Sequence, residues 1–257
     1  MIDIKYSKDY RNRLGFSNQG GVKSFFAAKD IIPTVDFGYI ELLNNRLFEI
    51  VDKINNLVVP EIRVPDPGIF CRENISVVFE TLRENNILPR LNNQGRRSEE
   101  VYFSFMRGYV ISAYFTNALS HIFETPAENI VVIGDDDFEK IETFKRTAKA
   151  DIEIRRSDGT RIRIEVQSGF QGINDIKQHK VLEAKRINRE MNIPSVVVHF
   201  DLYNGQVAFV RIDGIEDDDV NWITRQQMEG QTVFNIDQNY FVWKLTELPP
   251  RYSDLSF

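Results

Sequence analysis

The spacing of apolar residues predicts helices in the first half of the chain and a sheet in the second. Between about residues 35 and 56 the apolar positions follow a helical period: Tyr39, Leu42, Leu43, Leu47, Ile50, Val51 and Ile54. Residues 1–35 are polar and are expected to form loops. Ser98 is expected to cap one long, largely buried helix over residues 101–123, because almost all of its side chains are apolar or small.

Two segments of alternating residues flank a glycine turn and predict a β-hairpin over residues 151–167. A three-residue loop at 157–159, with Gly159 in the left-handed conformation, makes one hairpin face wholly apolar. A two-residue loop would instead place isoleucines and arginines on the same face. The three-residue loop therefore predicts the pairs Ile152 with Ile164 and Ile154 with Ile162.

This register has a chemical consequence on the other, polar face. It places Asp151 directly opposite Glu165, with Cβ atoms about 5 Å apart. Gln167 projects from the same face one step further, and Glu153 lies opposite Arg163. Asp and Glu are poor strand formers, and in this register no cationic side chain intervenes between the facing pair. The pattern therefore indicates a site that needs both carboxylates.

The remaining elements complete an α/β fold with a mixed central sheet flanked by helices. A short strand is expected at 130–133, a helix from Asn174 or Asp175 to Asn192, and further strands at 195–202 and 206–212. From 98 to 212 the order is therefore helix, strand, hairpin, helix, strand, strand. Residues 1–97 are expected to form a mostly helical region, and residues 213–257 an extension packed on the core.

Composition and charge narrow the class of protein only slightly. A hydrophobic content of 42%, with no apolar run of about 18 residues, is typical of a globular protein without a membrane span. The single cysteine, Cys71, excludes an internal disulfide and favours the reducing cytoplasm. The net charge of −6 argues against indiscriminate coating of nucleic acid. However, residues 145–189 carry twelve Lys/Arg against six Asp/Glu, which suits either a DNA-binding cleft or a solvated surface.

The facing carboxylates are suited to a divalent cation. Two carboxylates at this separation repel each other unless a cation neutralises them, and hard oxygen donors suit Mg²⁺. The backbone carbonyl of Val166 would supply a third oxygen beside Asp151 and Glu165. Bound Mg²⁺ lowers the pKa of an attacking water and neutralises charge on phosphorus oxygens, which is the chemistry of phosphodiester hydrolysis.

The order of elements, with Asp on one strand and Glu-x-polar on the next, resembles the core of the PD-(D/E)XK nuclease superfamily. Type II restriction endonucleases are its best-known group, and their chain lengths are similar. The resemblance covers residues 98–212 and depends on three positions. It implies that Asp151 and Glu165 bind the metal and that Gln167 stands where the superfamily has a lysine that positions or activates water.

The chain departs from the superfamily pattern at two positions. Ala150 replaces the proline and Gln167 replaces the lysine, a variant similar to that of some restriction enzymes. Glutamine has no basic group, so Gln167 would only orient the water. Alternatively, Lys177 or Lys180 reaches the site from the following helix. Glu100 is a further candidate near the metal, or else only a favourable charge at a helix start.

A polar loop before the helix at 98 contains side chains suited to reading base edges: Arg90, Asn92, Asn93, Gln94, Arg96 and Arg97. The alternative is an ordinary polar loop.

The resemblance implies a Mg²⁺-dependent type II site-specific deoxyribonuclease that hydrolyses double-stranded DNA as a homodimer and leaves 5′-phosphate ends. In this reading the region 1–97 recognises DNA. Three alternatives remain: a structure-specific repair or recombination nuclease, a catalytically silent nucleic-acid-binding module, and a merely solvated hairpin face.

Overall fold

The computed structural model describes most of the chain, namely residues 3–28, 30–91, 96–133, 152–156, 158–170, 174–225, 230–255 and 257. Its α-helices are α1 Ile4–Leu14, α2 Gln19–Ala27, α3 Phe37–Leu57, α4 Pro67–Cys71, α5 Val77–Glu84, α6 Ser98–Tyr114, α7 Thr116–Ile122 and α8 Gln178–Met191. Its strands are β1 Ile130–Val132, β2 Ile152–Arg155, β3 Arg161–Gly169, β4 Asp175–Lys177, β5 Ser195–Asp201, β6 Gln206–Arg211, β7 Ile223–Arg225, β8 Gln231–Asn235 and β9 Phe241–Lys244.

The first 35 residues contain helices, so the expectation of loops there is wrong. Each helix begins at a side chain that accepts a backbone N–H: Asp3 from Tyr6 at 2.6 Å, and Asn18 from Gly21 at 2.9 Å. Such caps stabilise a helix by about 1 kcal/mol each. Neither α1 nor α2 contains a buried residue, so capping and local propensity, and not a buried apolar face, define them.

The helix predicted near residues 35–56 is confirmed as α3. The single helix predicted over residues 101–123 is in fact two, α6 and α7, which meet at Phe115. Phe115 is fully buried and its ring stacks on Phe200 of the sheet, with centroids 4.0 Å apart, a tertiary contact that local sequence does not encode. The cap is also displaced by one residue, because Ser98 is the first residue of α6 and follows the cap position Arg97.

The central sheet has six strands in the order β1-β2-β3-β5-β6-β9. Strands β3 and β5 are parallel, and α8 connects them, while the other neighbouring strands are antiparallel. Because a parallel pair needs a crossover, the alternation of strand, helix and strand determines this topology. The predicted class, a mixed sheet flanked by helices with a helical N-terminal region, is confirmed.

Each face of the sheet packs against a different layer. One face, with the isoleucines of β2 and β3, packs on the helical N-terminal half in a single large apolar cluster. The other face packs on α8 and on a small sheet of order β4-β8-β7, with Val197 of β5 in this second cluster. All seven residues of β5 are buried, as expected for a strand covered on both faces.

Helix α8 begins later than the sequence predicts. Residues 175–177, expected in its first turn, instead form β4 and pair with β8. The carboxylate of Asp175 is buried and accepts hydrogen bonds from Arg225 at 2.9 Å and Asn235 at 3.2 Å, which belong to the other two strands of the same small sheet and lie far along the chain. The predicted end of the helix is confirmed, since Asn192 is left-handed there. None of the described helices combines the length and apolar character that a membrane crossing requires.

Candidate active site

The hairpin register predicted from the apolar face is confirmed. Ile152 pairs with Ile164 and Ile154 with Ile162, and all four side chains are buried. Gly159 has a φ of +83°, and the amide of Arg156 donates to the carbonyl of residue 160 at 2.9 Å, as a three-residue loop requires. The register therefore sends the odd-numbered side chains of β3, including 165 and 167, to the opposite face, against α8 and β5.

Glu165 has a lysine partner on this face, while Asp151, the other member of the predicted facing pair, lies outside the described residues. Nζ of Lys180 lies 2.7 Å from Oε2 of Glu165, and the side chains are only 15% and 12% exposed. Lys180 belongs to the first turn of α8, which follows β3 after the short strand β4. The crossover thus brings Lys180, one of the two lysines proposed from the sequence, to Glu165 on a strand that has glutamine at position 167.

Glu153 is the other described carboxylate on the polar hairpin face. It is 5% exposed and pairs with Arg163 across the strands, as predicted. Three guanidinium groups surround it, with nitrogen–oxygen distances of 3.6 Å for Arg155, 3.7 Å for Arg161 and 3.8 Å for Arg163. A buried carboxylate needs such pairing, and three cations to one anion leave this face locally positive.

Gln167 lies beside a buried, neutral histidine. In the parallel pairing of β3 and β5, Gln167 is the partner of His199, whose Nε2 lies 2.7 Å from Oδ1 of Asn174. That oxygen only accepts, so Nε2 carries the proton. Burial lowers the pKa of His199 to about 4, against smaller opposite effects of Asp201 and Asp175. The β5 partner of Gln167 is therefore uncharged near neutral pH.

A small cavity between β3 and α8 adds one acid that sequence reasoning missed. Its volume is about 20 Å³, and Arg163, Glu165, Lys180 and Glu183 line it. That is room for about one water molecule. A hydrogen bond from Arg186, with the charges of Arg163 and Lys180, lowers the pKa of Glu183. Glu183 could have been identified from the sequence, because residues three apart in a helix share one face and Glu183 is three residues after Lys180.

The other residues that the sequence suggested for catalysis or DNA binding lie in different parts of the fold. Lys177 ends β4 and precedes α8. Glu100 lies 3.7 Å from Arg97, whose guanidinium lies 5.2 Å from the centre of the Tyr39 ring. Arg96 is exposed just before α6. Arg90 belongs to a 3-10 turn, Leu88–Leu91. The remaining predicted positions lie outside the described residues: Asp151, Asn92, Asn93 and Gln94.

The donor chemistry of this face suits a hard cation. Glu165 contributes carboxylate oxygens, Gln167 an amide oxygen and Val166 a backbone carbonyl, all oxygen donors of the kind that Mg²⁺ takes. Within the described ranges no three His, Cys, Asp or Glu side chains converge as a metal-binding group. Comparison with protein-family models, curated proteins and solved structures finds no match to the chain.

Proposed function

We propose that this protein is a Mg²⁺-dependent endonuclease of the type II restriction kind, acting on double-stranded DNA. The observation that carries the proposal is the contact of Glu165 with Lys180 across the β3-α8-β5 crossover. This contact brings a carboxylate and a lysine amine together on one face of the sheet. The superfamily pattern has both of these groups in its active site. A homodimer, each copy cutting one strand of a symmetric site, and a cytoplasmic location belong to the same proposal.

In this proposal each side chain has a separate task. Glu165, with Asp151 opposite as the sequence predicts, would hold Mg²⁺, with Val166 adding its carbonyl. The ion lowers the pKa of a bound water and offsets negative charge on the phosphate. Lys180 fixes the orientation of the Glu165 carboxylate and adds positive charge where the phosphate oxygens gather charge. Gln167 has donor and acceptor atoms for orienting the water, but no group that takes its proton.

The arginines around Glu153 support a nucleic-acid substrate. The side chains of Arg155 and Arg161 are 60% and 42% exposed, so their remaining N–H groups face solvent on the polar side of the hairpin. Guanidinium groups donate bidentate hydrogen bonds to phosphates. These arginines would position the DNA backbone and would not read its sequence.

One observation favours a second candidate, the catalytically silent nucleic-acid-binding module. Lys180 already neutralises part of the charge on Glu165 without a metal ion, as a structural ion pair would. A structure-specific repair or recombination nuclease has the same site chemistry and differs only in substrate.

Plasmid digestion with Mg²⁺, or with EDTA in its place, tests the proposal. Discrete fragments that need Mg²⁺ support a restriction endonuclease, and cleavage of branched substrates alone indicates the repair type. Tight DNA binding without cleavage indicates the silent module. The wild-type chain is compared with Glu165→Gln and with Glu190→Gln, an exposed acid near the end of α8 that serves as a control. Cleavage by Glu165→Gln at the wild-type rate would remove the site from the mechanism.

A further inference from the structure

A basic groove lies at the turn end of the hairpin, away from Glu165. It has a volume of about 560 Å³ and is bounded by the hairpin turn, the last turn of α8, the start of β5 and the C-terminal segment near Tyr252. Three arginines line it, Arg156, Arg161 and Arg211, and no Asp or Glu is found among the described residues of the lining. The other polar side chains at its wall are amides and hydroxyls. A groove with these walls is complementary to an anion.

Neighbouring side chains hold two of the three guanidinium groups in place. Arg211 donates to the buried carboxylate of Asp213 from Nε at 3.3 Å and from Nη2 at 3.2 Å. Arg156 lies 5.7 Å from the centre of the Tyr252 ring. Holding the side chains in advance lowers the entropy lost when a ligand binds.

These contacts leave hydrogen-bonding capacity for a ligand. A guanidinium carries five N–H donors, more than one carboxylate can accept. Arg161 and Arg211 have side chains 42% and 45% exposed, so part of each faces the open groove. Arg161 lies 3.7 Å from Glu153, which has two other arginine partners, so a ligand that binds Arg161 leaves Glu153 paired.

An anion here is opposed by the end of α8 and by the three carboxylates that pair with the arginines, Asp158, Glu153 and Asp213. The last turn of α8 contributes Asn188, Met191 and Asn192 to the wall, and a helix C-terminus carries about half a negative charge. Asp158 lies 3.6 Å from Arg156 but at the exposed turn, outside the lining. Five arginines pair with these three carboxylates, because Glu153 has three arginine partners. The resulting excess of two positive charges is larger than the half charge of the helix end, so the groove remains favourable for an anion.

We propose that this groove binds a phosphate group, either of a nucleic-acid backbone or of a free nucleotide. Arginine forks match the oxygen geometry of phosphate, and the volume admits a phosphate with its attached sugar. Arg161 precedes Glu165 by four residues on one strand, which is about 13 Å at the rise of a β-strand. The groove is therefore separate from the proposed catalytic position. Its nucleic-acid form rests on the proposed function, which already assigns Arg161 to the DNA backbone, and adds Arg156 and Arg211 to that contact.

Binding of two probes in EDTA tests this site independently of cleavage. A labelled short DNA duplex is titrated by fluorescence anisotropy, and deoxyadenosine 5′-monophosphate by calorimetry. The test variant is Arg161→Gln, and the control with the same change of charge is Arg46→Gln on the exposed surface of α3. Arg156→Gln repeats the test from the turn side of the groove, and circular dichroism checks that each variant is folded.

If the groove takes a backbone phosphate, Arg161→Gln weakens duplex binding roughly tenfold relative to Arg46→Gln. The slope of log K against log salt then falls by about 0.9 for the lost contact. If it takes a free nucleotide, the affinity for the monophosphate falls and that for the duplex does not. Equal affinities of the groove variants and the control for both probes, or no wild-type binding of either, would overturn the proposal. A wild-type chain that binds but does not cut DNA refutes the nuclease proposal alone.

Discussion

Nζ of Lys180 lies 2.7 Å from Oε2 of Glu165, although 15 positions separate the two residues in the chain. The contact exists because the connection after β3 runs through β4 into α8, which packs over the face of the sheet that carries Glu165. Both side chains are at least 85% covered, so solvent screens this pair far less than an exposed one. The ion pair links β3 to α8 and so fixes the relative position of the two elements that carry the proposed catalytic residues.

Replacing Glu165 tests the proposed metal ligand. Glu165→Gln keeps the shape and an oxygen for Lys180 but removes the negative charge, so we expect plasmid cleavage in Mg²⁺ to fall at least about 100-fold. Asp151→Ala is expected to do the same. DNA binding in EDTA is expected to persist in both variants. Wild-type cleavage by either one would show that the metal is held elsewhere.

Replacing Lys180 tests whether it acts in place of the missing strand lysine. A group that assists proton transfer or charge stabilisation contributes about 100-fold or more, so Lys180→Met should reduce single-turnover cleavage by at least that factor. Lys185→Met is the matched control, because Lys185 is on the same helix and pairs with the exposed Glu216 at 3.1 Å. Equal rates for the two variants would make Lys180 a structural partner only.

The hairpin could be predicted from the sequence because isoleucine recurs at every paired position of its buried face, and this recurrence determines the register. The left-handed Gly159 and the pairing of Glu153 with Arg163 followed from the same argument. The Lys180 contact could be offered only as one of two alternatives, because it depends on where α8 begins. That start is determined by β4 and by Asp175, whose partner Arg225 is 50 residues away. Periodicity within a short segment contains no information about such distant partners.

Substitution of Gln167 tests the orientation of the water. Gln167→Ala should slow cleavage strongly, since a misplaced nucleophile costs about 100-fold. Gln167→Glu should also impair it by adding negative charge beside Glu165. Gln167→Lys restores the common superfamily pattern and should retain some activity. Single-turnover rates at saturating Mg²⁺ measure all three, and an unimpaired Gln167→Ala would make this residue a bystander.

The specificity prediction concerns the approach to α6. Arg96→Ala should reduce cleavage of the cognate site by about 1–3 kcal/mol if a bidentate base contact is lost. Arg97→Ala should do so too, but it also removes the contact with the Tyr39 ring, so its thermal stability is measured beside its cleavage. An unchanged ratio of cognate to noncognate cleavage in both variants would exclude this segment from base recognition.

His199 predicts a pH dependence of stability. Its pKa is lowered from 6.5 to about 4 on folding because burial disfavours the charged ring. Between these values the unfolded chain binds more protons than the folded one, so stability falls as the pH decreases from about 6.5 to about 4. The loss amounts to about 3 kcal/mol.

Urea denaturation at several pH values measures this loss. His199→Gln should flatten the dependence, whereas replacement of the exposed His121 by Gln should leave it unchanged. Identical pH profiles for the wild type and His199→Gln would show that this ring does not control acid stability.

Strand β9 has a consequence for the solubility of the chain. It pairs with β6 and so covers the backbone hydrogen-bonding groups of residues 206–208, beside the buried apolar run 207–210. Without β9 that strand would present an unpaired apolar edge, which is a template for sheet extension between molecules. We therefore expect removal of the segment after residue 236 to promote aggregation by exposing this edge of β6.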